Sequence, residues 1–209
     1  MNPRRSTPSA EDPETTAAEA LPAKPTDPAR LREKLRRSGF AYLQRYAASQ
    51  AHFRDVLGRK FRRWLEAGYI VAEPAALEAE VAAVVAEFQG LGLLDDKAFA
   101  EARVASGRRK GASRLRIAMT LRRKGVDAET AEVALAGDEG SDEEAALRFA
   151  HRRRIGPWRR DRGGDAATLR NREIAAMMRQ GFGYGLARTI IDMAPDEAQA
   201  RLEGNAFPD

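Results

Sequence analysis

The sequence has no cysteine among its 209 residues. Disulfides, thiolate catalysis and cysteine-bound zinc are therefore excluded, and a reducing compartment is permitted. Histidine is nearly as scarce: His52 and His151 stand alone. They form no pair at metal-ligand spacing, no serine–histidine–carboxylate set is visible, and both read as ordinary surface or helix-flank residues. No run of about 18 apolar residues occurs, so no membrane span is expected. The N-terminal stretch has no apolar signal core, which points away from export and toward the cytoplasm. No segment sustains two-residue alternation, so no sheet is expected. Nucleophile, metal set and nucleotide loop are all missing, and the expectation is a non-enzyme with no metal and no cofactor.

Charge is plentiful. Charged residues make up 32% of the chain, and the formal net charge is +5. The first 28 residues hold three basic and five acidic side chains, which leaves +7 on the remainder. That balance favours an acidic partner such as nucleic acid or an acidic protein groove, although solubility alone also uses charge. Residues 1–28 are rich in Pro, Ala, Thr and Glu and have almost no large apolar side chain. They cannot bury enough surface to offset the entropy of ordering, so a disordered tail is expected.

From Ala29 onward the pattern is helical. Phe53, Val56, Leu57, Phe61, Trp64 and Leu65 fall on one stripe, with Trp64 read as core and Gly68 as the stop. Pro74 suits a helix's first turn, and Leu77, Val81, Val84, Val85 and Phe88 form a second stripe. The segment Leu91–Leu135 then reads as three short helices. Asp95 or Asp96 caps the first, which carries Phe99, Ala102 and Ala105; Gly107 and Gly111 break it. A metal-ligand role for the Asp95–Asp96 pair is disfavoured, because no third carboxylate or histidine accompanies it. Ser113 caps the second helix, with Ile117, Ala118 and Leu121 inward, and Gly125 follows its end. Asp127 caps the third, with Ala131, Ala134 and Leu135 on one side. Ser141 and Glu144 have capping-box spacing ahead of Ala146, Phe149 and Ala150. Asp165 opens a helix with Ile174, Met177 and Met178. Tyr184–Met193 reads as the last helix, stopped by Pro195.

A repeat runs through this order. Leu121-Arg-Arg-Lys-Gly125-Val126 with Leu135 matches Met177-Met-Arg-Gln-Gly181-Phe182 with Ile191. Upstream, Ser49, Phe53, Leu57 and Lys60 match Ser113, Ile117, Leu121 and Lys124. The expected fold is all-α: an elongated array of three tandem three-helix repeats behind a disordered N-terminal tail. The expected divisions are 1–28 for the tail, 29–73 for the first repeat, 74–137 for the second, and 138–209 for the third with the C-terminal tail. Each unit is small enough to need its neighbours for part of its core.

The candidate contact residues are cationic. Gly107-Arg108-Arg109-Lys110-Gly111 can be a plain turn or a phosphate contact. Arg152, Arg153, Arg154, Arg159, Arg160 and Arg162 surround Trp158; arginine forks suit phosphate or carboxylate, and tryptophan can stack on a base. Arg114, Arg116, Arg122, Arg123 and Lys124, then Arg170, Arg172 and Arg179, lie on the second helices of their units and can extend one positive track.

Gly92-Leu-Leu-Asp-Asp96-x-x-Phe99-Ala100, then Gly111, then Leu121-Arg-Arg-Lys-Gly125-Val126, resembles the central unit of the RecX family of recombination regulators. Arg179-Gln-Gly181-Phe182 is similar to that family's closing signature, and Ser49-x-x-x-Phe53-x-x-x-Leu57 to its first-unit helix. The resemblance spans roughly residues 38–195. It implies tandem three-helix repeats, no enzyme activity, and binding to the RecA filament on single-stranded DNA. Inhibited strand exchange, ATP hydrolysis and co-protease action, and direct DNA binding, also follow from it. A monomer is expected. Two departures stand out: His52 where the family usually has Glu, and Phe61 at the repeat's glycine position, so that this helix is expected to run on toward Gly68. A helix-turn-helix-like DNA-binding protein with no recombinase partner is the alternative reading.

Overall fold

Side-chain caps start seven of the ten described α-helices, as hydrogen-bond acceptors that satisfy the free amides of an opening turn. The computed structural model describes residues 26–160 and 165–204. Among them are ten α-helices and no strand: α1 (Pro28–Leu43), α2 (Gln50–Glu66), α3 (Pro74–Gly90), α4 (Asp96–Arg109), α5 (Arg114–Arg123), α6 (Ala128–Ala136), α7 (Asp142–Arg153), α8 (Ala166–Arg179), α9 (Tyr184–Asp192) and α10 (Pro195–Gly204). A single 3₁₀ turn, Gly156–Trp158, lies between α7 and α8. Asp95, Ser113, Asp127, Ser141 and Asp165 cap the helices expected of them. The expected tail falls on residues outside the described ones up to Pro25, and Pro28 itself already belongs to α1.

Three hydrophobic cores succeed one another. The first gathers α1, α2 and α3 around Leu35, Phe53, Leu57, Phe61, Val84 and Phe88. The rings of Phe53 and Phe88 lie 5.3 Å apart. The second holds Phe99, Val104, Ile117, Leu121 and Val126 of α4–α6. The third joins α7–α10 through Phe149, Met177, Phe182, Ile190 and Ile191. The molecule is thus an elongated all-α array of three helical units.

The packing moves the boundary expected at residues 73/74. α3 packs on α1 and α2, not with α4–α6. Arg32 of α1 grips the buried Glu80 of α3 through two hydrogen bonds of 2.7 and 3.0 Å, and Arg36 reaches Glu87 at 2.8 Å. Pro74 opens a helix, as read, but a helix start is not a unit start. The second unit begins near Asp95.

Other expectations change with the register. Gly107 lies inside α4; a Cβ there would stand 2.8 Å from the Ile117 side chain, so glycine marks a close helix approach and not a break. The inward stripe of α4 is Ala100, Val104 and Arg108 beside Phe99, while Ala102 and Ala105 are exposed. Trp64 is half-buried, with Lys34 over its outer face, 4.6 Å from the ring centre. Met178 is exposed. Pro195 starts α10 instead of ending the fold, because proline at the first helical position gives up an amide that has no partner anyway. The helix of the first unit does run on, to Glu66.

Candidate functional site

One device recurs where the units meet. Ser49 caps α2 by accepting from the His52 amide at 3.2 Å, and its hydroxyl donates to the carbonyl of Lys124 at the end of α5. Ser113 caps α5 by accepting from the Arg116 amide at 3.1 Å, and donates to the carbonyl of Gln180 at the end of α8, 2.6 Å away. One hydroxyl therefore closes two helix ends on different units. The glycine after each accepting carbonyl makes the approach possible. Gly125 and Gly181 have φ of 74° and 87°, and a Cβ on either would fall 2.4 Å from Ala51 Cβ or 2.5 Å from Ser113 Oγ. These joints are backbone against small side chains. The buried apolar clusters do not merge across them, so each core is largely self-contained and the expected sharing is slight.

The first joint is also charged. Lys124 Nζ lies 3.1 Å from His52 Nε2 and donates to the neutral imidazole. Burial, then Lys124 and Arg59, hold His52 below its ordinary pKa; Arg103 pushes the same way and Asp55 opposes. Lys124 is lowered by burial and by Arg103, Arg123 and Arg59. Asp96 accepts from the Gln50 amide at 2.8 Å, and burial raises its pKa. Arg103 of α4 escaped the sequence reading. Its signal was the i, i+3, i+7 spacing of Arg103, Ser106 and Lys110 along one face.

The candidate cations divide sharply. Arg108 is 5% exposed and works inside the protein. It donates to Asp142 Oδ1 and the Gly140 carbonyl, both at 2.6 Å, and its Nε stands 2.9 Å from Asp138 as an ion pair. Arg114 donates to the carbonyls of Leu135, in the last turn of α6, and Asp138, on the connection to α7. Arg159 clamps the buried Glu173, and Arg170 forms a fork on Asp192. Four candidates are thus engaged in holding the fold together. Arg109, Lys110, Arg116, Arg122, Arg123, Arg152, Arg153, Arg154, Arg160, Arg172 and Arg179 are exposed, and Lys124 is half-buried at the joint. Arg162 lies outside the described residues.

The expected basic loop is partly ordered helix: Arg152 and Arg153 end α7, and Arg154 terminates it in a left-handed conformation, φ 54°. His151, Arg152, Arg154, Trp158 and Arg160 line a cup of about 340 Å³. Trp158 is fixed in it by a hydrogen bond to Gln199 at 3.1 Å and by the edge-on His151 ring. No cluster of metal-ligating side chains occurs among the described residues, and no described helix is long and apolar enough to cross a membrane.

The second unit, α4–α6, coincides with a match to the RecX second three-helix domain over residues 95–135. A regulatory protein RecX of Myxococcus xanthus is 38% identical over 163 residues, which cover 77% of this chain and 86% of that relative. This chain belongs to the RecX family. A regulatory protein RecX of Agrobacterium fabrum is 34% identical over 181 residues, covering 87% of this chain and 93% of its own length. The crystal structure of RecX from Lactobacillus salivarius superposes with a TM-score of 0.53 at 20% identity, over 84% of this chain and 98% of that one. A second crystal structure of regulatory protein RecX gives a TM-score of 0.56 at 19% identity, over 79% and 74%. Likeness at such identity concerns the fold. Within the RecX fold, the matched domain also agrees with packing about where the second unit begins.

Proposed function

We propose that this RecX-family chain is a mainly negative regulator of the RecA recombinase. It binds in the groove of the RecA filament on single-stranded DNA and inhibits strand exchange, ATP hydrolysis and co-protease activity. It acts as a monomer in the cytoplasm, touches DNA directly as well as RecA, and catalyses nothing itself. The supporting observation is that the joints hold three units in succession while Arg116, Arg122 and Arg123 of α5, Arg152 and Arg153 of α7, and Arg172 and Arg179 of α8 are exposed and have no ion-pair partner among the described residues. Such an array offers repeated cationic contacts to a repeated anionic assembly, which a single pocket does not.

The test mixes the protein with RecA, single-stranded DNA and ATP. Substoichiometric addition lowers ATP turnover and strand exchange. No change in either, together with no binding to the filament, removes the reading. Footprinting on duplex DNA that depends on sequence, without RecA, favours the helix-turn-helix alternative. Charge reversal at Arg122 and Arg123 weakens filament binding and flattens its salt dependence, since fewer phosphate counterions are released.

A further inference from the structure

A narrow groove separates α4 from α5. Arg103 and Ser106 come from α4, Lys110 caps its end, Arg116 and Thr120 come from α5, and Ile117 lies between them; the volume is about 140 Å³. No acidic side chain lines it. Thr120 donates its hydroxyl to the Arg116 carbonyl at 2.9 Å, whereas the Ser106 hydroxyl has no partner among the described residues. The two helices are joined by a short turn; one end of the groove has Lys110 and Arg116, and Arg103 lies toward the first joint. There Arg103 and Arg59 of α2 both act electrostatically on Lys124, the residue that caps the end of α5. Among the described residues, none of these cations forms an ion pair. The fold forces like charges together at this end: Arg59 and Arg103 act on both Lys124 and His52.

We propose that this groove, with Arg59 and Lys124 at its joint end, binds phosphate oxyanions, and that occupation tightens the joint between the first two units. Size decides the ligand class. Sites that enclose a whole small molecule run from about 300 Å³ upward, so this groove takes a phosphate group and leaves any attached nucleoside outside. Guanidinium forks and an ammonium supply donors only, and the free hydroxyl has a proton to donate, which suits an anion rich in acceptors. The ligand draws together charges from α2, α4 and α5 that otherwise repel across the joint. The inference does not depend on the recombinase reading, and its test contains no recombinase.

The histidines report on the two rival cationic clusters: His52 on the joint, His151 on the cup beside Trp158. Their imidazole resonances are followed by NMR through a pH titration at constant ionic strength. One arm adds inorganic pyrophosphate; the other adds a short oligothymidylate. We expect the His52 pKa to rise by about half a unit or more, because a bound anion offsets neighbouring positive charge, while pyrophosphate leaves the chemical shifts of the His151 ring in place. A response to pyrophosphate alone assigns the site to free oxyanions, and a response to oligothymidylate assigns it to phosphodiester strands as well. Arg103→Gln and Arg116→Gln, made separately at exposed positions, each weaken pyrophosphate binding about tenfold, the scale of one charge-assisted contact; Arg153→Gln leaves it unchanged. An unmoved His52 in both arms overturns the proposal. So does a His52 shift that survives both groove variants at unchanged affinity.

Discussion

Arg108 and Arg109 are adjacent in sequence and opposite in role. Arg108 continues the i, i+4 series of Ala100 and Val104 into the core, so its guanidinium is turned toward Asp138 and Asp142. Arg109 points to solvent. Arg108→Ala removes one partner of a buried ion pair, which costs about 3 kcal/mol because the remaining carboxylate stays desolvated. Denaturant unfolding should show that loss; Arg109→Ala should leave stability unchanged within about 0.5 kcal/mol. A reading that counts basic residues along the chain cannot separate the two, although the four-residue spacing was available to do so. His52 carries a second prediction. Its pKa is lowered in the fold, so the unfolded chain binds the extra proton more readily. The neutral-state stabilisation is therefore complete above the unfolded value, about 6.5, and is lost as pH falls through that value toward the lower folded one. Stability measured from pH 7 down to 5 should decline, and His52→Gln should flatten that decline.

Helix ends were the most legible elements, because an Asp or Ser ahead of an apolar stripe has a direct physical job. Long-range roles of the same residues were not legible. Nothing local announces that the Ser113 hydroxyl also reaches Gln180, 67 positions away. Ser113→Ala should remove the α5 cap, worth roughly 1 kcal/mol, and leave the Gln180 carbonyl without its partner for about 1 kcal/mol more. Gly125→Ala should be worse. The left-handed φ costs about 1–2 kcal/mol for a residue with a Cβ, and that Cβ also overlaps Ala51. Thermal unfolding of the two variants should rank them in that order. Glycine was read as a helix terminator at Gly107 and at Gly125 alike. Packing gives them different meanings, since Gly107 admits Ile117 from within α4. The same limit applies to α3: its stripe was plain, but which neighbours it faces depends on Arg32 and Glu80 meeting across 48 residues.

At the scale of the molecule, the three-unit order was visible from the repeated Leu-Arg-Arg-Lys-Gly and Met-Met-Arg-Gln-Gly segments, while the division into cores was not. Separate cores joined by thin contacts behave as neighbours in a one-dimensional array, each steadied by the next. Gly181→Ala at the second joint should therefore speed amide exchange in α8 and α9 more than in α1–α3, measured by native-state hydrogen exchange. The serine–carbonyl link also has a consequence for growth. To be lengthened, a row of such links needs a hook and an eye at each extremity. In register with Ser113, α8 offers Leu169, which has no hydroxyl to give. In register with Gly125, α2 has Phe61 and continues through Lys60 to Glu66, so the Lys60 carbonyl is already consumed by its own helix. Both extremities are blunt for this link: among the described residues, the serine–carbonyl device that joins three units has no free hydroxyl or carbonyl in register to take a fourth.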